Sequence, residues 1–139
     1  MEKWRADIRR LARRALIAAS AGGAIAAVPA LACELPPGTR IESPRLALSY
    51  RTVPARIAVG QPFVLELAAC PIGGARLPES VKLDAQMPEH RHGMNYRTRV
   101  VATAPGRFHS EGWLFHMPGR WEFLFDIGTE RLTHSVRIE

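Results

Sequence analysis

Gly119-Arg120-Trp121-Glu122-Phe123-Leu124-Phe125-Asp126-Ile127 decides how this chain reads. Trp121, Phe123, Phe125 and Ile127 fall on alternate positions, with Arg120, Glu122 and Asp126 among the residues between them. That is the period of a strand with one face in a core and the other in water. Gly128-Thr129 leads into a last strand, where Leu132, His134, Val136 and Ile138 alternate with Thr133, Ser135 and Arg137.

The same grammar extends upstream. Val81, Leu83, Ala85 and Met87 share one parity, as do Phe63, Leu65 and Leu67 after the Gly60-Gln61-Pro62 turn. Leu46 and Leu48 mark a strand over 45–50, and Ile57 and Val59 continue it over 55–59. Further strands are expected over 97–103 and, after Pro105-Gly106, over 107–115. Pro71 to Pro78 reads as a loop, and Cys33 to Pro44 as an extended, Pro-rich lead-in. No sustained helical period follows Cys33. Seven or eight short strands cut by Pro and Gly predict an all-β, immunoglobulin-like antiparallel β-sandwich over 45–139. Trp121 is its expected central residue, with an indole N–H that needs an internal partner. His134 lies on the apolar parity of its strand and reads as a satisfied core histidine.

Residues 1–32 read as a signal peptide. Six Lys and Arg between Lys3 and Arg14 precede an Ala-rich apolar run from Ala15 to Val28, and Ala30-Leu31-Ala32 forms a cleavage site. The run is too short for a membrane span. Arg9-Arg10 and Arg13-Arg14 hint at twin-arginine export, against ordinary secretion. A periplasmic destination is expected by either route. The whole chain carries 19 basic and 13 acidic residues, a net of +6. The leader holds six basic and two acidic residues, so the remainder has 13 against 11, or +2. No basic stripe interleaved with aromatics is left, which argues against a nucleic-acid partner.

Cys33 and Cys70 are the two cysteines. Pairing is the default in an oxidising compartment. It would close a loop of roughly 36 residues, worth about 3–4 kcal/mol in the chain-entropy model. The competing reading takes Ala30-Leu31-Ala32-Cys33 as a lipoprotein box with Cys33 lipidated.

Met87-Pro88-Glu89-His90-Arg91-His92-Gly93-Met94 brings two imidazoles and two thioethers into eight residues, and His116-Met117 follows downstream. Thioether sulfur suits Cu(I) above other metals, and imidazole serves copper in both oxidation states. An extended backbone would send His90 and His92 to the same face. If the two turns meet at one end of the sandwich, His90, His92 and Met94 with His116 or Met117 could supply three or four ligands. Met87 is a further candidate, with core packing as its other role. Zinc would ask for more carboxylate or thiolate than Glu89 offers.

The ordered elements Met87-Pro88-Glu89-His90-Arg91-His92-Gly93-Met94 and Met117-Pro118-Gly119-Arg120-Trp121 resemble the YtkA-like domain, grouped with FixH-like proteins. The resemblance spans roughly Pro44 to Ile138. It implies a small exported β-sandwich, and the FixH connection implies a place near the maturation of copper-containing respiratory oxidases. FixH-type members usually keep a membrane helix, which is missing here.

Three functional expectations follow. The first is a periplasmic copper-binding or copper-delivery protein, holding one copper ion, expected as Cu(I), and handing it to a periplasmic or membrane-bound partner. The second is a non-catalytic interaction domain without metal. The third is a small-molecule pocket lined by Met94, Tyr96, Trp113 and Phe115. Catalysis is not expected, since no nucleophile has a base and no carboxylate pair stands out.

Overall fold

Both neighbours of the strand opened by Gly119 belong to one of two antiparallel sheets. A computed structural model describes residues 33–77 and 79–139. The expected signal peptide, 1–32, lies outside the described residues. Nine strands run in chain order: β1 Thr39–Glu42, β2 Leu46–Val53, β3 Pro62–Pro71, β4 Val81–Met87, β5 His92–Gly93, β6 Arg99–Ala104, β7 Arg107–Leu114, β8 Gly119–Ile127 and β9 Glu130–Ile138. One sheet has the order β1-β2-β3-β7-β6 and the other β5-β4-β8-β9. Setting β1 aside, the first is the A-B-E-D arrangement of an immunoglobulin-like sandwich. The second is C-F-G with a short extra strand beside C.

The alternation read from β8 holds in three dimensions. Trp121, Phe123, Phe125 and Ile127 are each no more than 2 % exposed, and they face Leu46, Leu48, Tyr50, Leu65 and Leu67 of the opposite sheet. The buried indoles are satisfied. Trp121 Nε1–H donates to Met117 O at 3.0 Å and Trp113 Nε1–H to Ser110 Oγ at 2.9 Å.

Two expectations change. The lead-in is not merely extended, because Thr39–Glu42 pairs with Ala47–Tyr50 as an edge strand. No strand forms over 55–59, since Pro54 has no N–H for a ladder and the chain bends there. Ile57 and Val59 still pack against the core from this loop. Parity also flips within β7. Phe108 and Ser110 face inward, then Trp113 and Phe115 do, and the pairing with β3 shifts between Phe63 and Leu65. Gly112, at φ 84°, makes the bulge possible. A Cβ there would lie 2.5 Å from Arg97 O. Without this bulge His116, not Phe115, would hold the inward parity. In β6, Val100 carries the inward contact and Val101 is 45 % exposed.

Cys33 and Cys70 are bonded, with Cα atoms 5.5 Å apart. The bond lays the lead-in across the outer face of β2 and β3, where Ser49 Oγ donates to Pro36 O at 2.7 Å. A sulfur so bonded is not free to carry a lipid.

Candidate metal centre

The His/Met loop is a tight hairpin rather than an extended run. Met87 pairs with His92 and Gln86 with Gly93, which leaves four residues, 88–91, to turn the chain. His90 N–H donates to Met87 O at 3.1 Å. Arg91 sits at φ 57°, the one non-glycine residue with positive φ among the described residues. An L residue held there costs roughly 1–2 kcal/mol, and such strain gathers at functional loops. Gly93 allows a close approach of the two strands, since a Cβ on it would lie 3.3 Å from Ala85 O. Glu89 reaches Arg120 of β8 at 3.1 Å and ties the turn to the neighbouring strand.

Because the backbone turns at 88–91, His90 and His92 do not leave one face of a strand. Their ring centroids are nonetheless 5.8 Å apart. His90 is exposed and His92 half-buried. His92 Nδ1–H donates to Gly93 O at 2.9 Å. A ring nitrogen bonded to a carbonyl carries the proton, so the lone pair is on Nε2. This is the state in which metal-ligating histidines are held.

The second element arrives from β7. Phe115 stacks on Trp121 with centroids 4.3 Å apart and planes at 12°. His116, next in sequence, then stands at the rim, half-buried. Its centroid is 5.3 Å from that of His92 and 5.4 Å from that of Trp121. The two turns therefore meet at one end of the sandwich. His116 Nδ1 is buried without a hydrogen-bond partner, alone among the described side-chain nitrogens and oxygens in that respect. An unpaired buried polar atom costs about 1–3 kcal/mol. An imidazole nitrogen in that position suits a metal ion, which would occupy the lone pair.

The thioethers divide. Met94 and Met117 are half-buried at the margin of the core. Met87 is 0 % exposed and sits within the core cluster. Its Cε lies so close to Gly119 that a Cβ there would be 2.7 Å away, and Gly119 has φ 129°. Met87 and Gly119 thus lock the two loops by packing, and this thioether is engaged as core rather than open to an ion. Among the described residues no three His, Cys, Asp or Glu side chains are grouped to hold a metal.

One other expectation resolves. The small-molecule pocket fails, because Trp113 and Phe115 are 1 % and 0 % exposed inside the core while Tyr96 is 53 % exposed outside it. His109, half-buried on β7, lies 3.4 Å from Glu111, and a groove of about 370 Å³ beside it is lined by Arg51, Glu66 and Arg107 and holds none of the loop residues. Sequence reading missed Trp121 as part of the site. Its place in a strong alternating run marked it only as core, and nothing local says that two histidines will stand against it. Among the described residues no helix is long and apolar enough to cross a membrane.

The fold and these loops define an immunoglobulin-like sandwich with histidines gathered at one end. No family model matches the chain, and neither a curated protein nor a solved structure does.

Proposed function

We propose that this chain is an exported copper-binding or copper-delivery accessory protein, of the YtkA-like and FixH-like kind, that works in the periplasm. One observation carries the reading. His92 and His116, from separate turns, stand with ring centroids 5.3 Å apart, and His116 Nδ1 is buried with no partner. His92 Nε2 and a His116 ring nitrogen would hold the ion. Met94, Met117 and the exposed His90 are placed at the margin, where they could complete or exchange ligands. Thioether and imidazole together favour Cu(I). The Glu89–Arg120 ion pair keeps the turn in place, and the exposure of His90 leaves one side open to a receiving protein. Such a protein could serve the maturation of a copper-containing respiratory oxidase.

Copper titration under reducing conditions tests this, comparing the parent with His92→Ala/His116→Ala. Stoichiometric Cu(I) binding by the parent and its loss in the variant are expected. Equal affinity in both ends the assignment. The second reading, an interaction domain without metal, is favoured by the lack of three grouped His, Cys, Asp or Glu side chains among the described residues. In that case protein purified from copper-supplemented cells would carry no stoichiometric metal.

A further inference from the structure

We infer that Trp121 is the third wall of this site, and that its indole face makes the site select a soft monovalent cation, Cu(I) or Ag(I), over Cu(II). The inference rests on the metal-binding reading above and adds to it the selectivity and the residue that sets it.

Three rings enclose one point. The centroids of His92, His116 and Trp121 are 5.3, 5.4 and 6.1 Å apart pairwise. The point equidistant from all three is about 3.3 Å from each centroid, by the geometry of that triangle. A metal–imidazole bond of about 2.0–2.1 Å, added to the radius of the ring, puts a bound ion about that far from an imidazole centroid. The two imidazole planes are inclined to one another by 33°. Both stand steeply to the indole, at 73° and 82°. Phe115 already covers one indole face at 4.3 Å. The opposite face and rim are what remain for the histidines and for anything between them.

An indole face is the strongest aromatic partner for a cation, effective within about 6 Å of the ring centroid. It has no lone pair to give, and its Nε1–H is committed to Met117 O. That distinction sets the selectivity. Cu(II) seeks a tetragonal set of nitrogen and oxygen donors, and two imidazoles leave it short. A low-coordinate soft cation is served by two imidazoles and a π face, with a thioether as an optional further ligand. Trp121 is thus a specificity-determining residue as well as a core one.

The full chain with Ag(I), a redox-inert probe, tests this. One equivalent should shift the aromatic ring resonances of Trp121 and leave those of Trp113, whose indole is bonded to Ser110, in place. Trp121→Leu should weaken Ag(I) binding about tenfold or more, with Cu(II) affinity changed less than about threefold. Trp121→Phe, which keeps a weaker π face, should fall between. If Ag(I) binds stoichiometrically while the Trp121 ring is unmoved, or if Trp121→Leu weakens both metals alike, the inference falls and the metal-binding reading survives. If neither Ag(I) nor Cu(I) binds, both fall. Should Trp121→Leu fail to fold, the ring shift in the parent protein decides.

Discussion

His134 and His116 rest against the same aromatic core, and their ring nitrogens meet opposite fates. His134, on β9, has its Nδ1 hydrogen-bonded to the Tyr50 hydroxyl at 2.7 Å, and that tyrosine packs on Phe123 and Phe125. His116, at the other end of the same cluster, has a buried Nδ1 with no partner at all. Burial is similar, both being half-buried. What differs is satisfaction. A histidine whose nitrogen is bonded inside the protein adds to stability, and one left unbonded costs stability unless something outside the chain completes it. His134 is thus held as a structural imidazole, while His116 Nδ1 is left without a bond inside the chain.

The sharpest break would come from the metal itself. His92→Ala/His116→Ala should lower Cu(I) affinity by at least about 100-fold, beyond the roughly 10–100-fold that loss of a supporting residue costs. His134→Phe, assayed in parallel, should leave affinity unchanged. If both variants lose metal alike, the distinction between the histidines is wrong.

Alkaline titration probes the satisfied end. Burial raises the Tyr50 hydroxyl to about 12, against a smaller lowering by its hydrogen bond with Thr39. The folded protein therefore holds this proton after the unfolded chain, at about 10, has lost it. Stability from this group is complete below pH 10 and is lost as pH rises toward 12, by no more than about 2–3 kcal/mol. Denaturant unfolding across that window should be flatter in Tyr50→Phe.

His134→Phe should itself cost about 1–2 kcal/mol in urea unfolding, since the buried Tyr50 hydroxyl loses its bond to the imidazole. Met94→Leu, which keeps volume, should weaken Cu(I) about tenfold or less while stability moves by under about 1.5 kcal/mol. The smallest loss is expected from His116→Phe. No internal bond is lost and an unpaired buried nitrogen is removed, so its unfolding free energy should match the parent's or exceed it by up to about 1–3 kcal/mol. A loss of 2 kcal/mol or more in that variant would show that His116 is structural after all.

Much of the fold was legible because alternation is local. The runs ending at Ile127 and Met87, and Leu132 to Ile138, needed only the two-residue period to be placed, and the two-sheet sandwich followed from their number and spacing. The Cys33–Cys70 bond was readable as one of two options. The misread strand lies where a backbone feature interrupts the period. Pro54 ended a strand that Ile57 and Val59 had been expected to extend, and the flip of β7 at Gly112, between Ser110 and Trp113, has no local pattern to announce it. In the candidate site, the residue types were visible and their roles were not. Arg91 took the left-handed position, and Met87 went into the core under Gly119.

Sequence alone determined the alternating strands of the core and the concentration of imidazole and thioether in two turns, because each of these depends on neighbours in the chain. Only the tertiary structure decided that His92 and His116 face one another beside Trp121. That meeting depends on β4 pairing with β8 and on a bulge that turns Phe115 inward and His116 to the rim. Residues 24 apart in sequence come together only when the sheets close, and no local pattern encodes which ring nitrogen is then left without a bond.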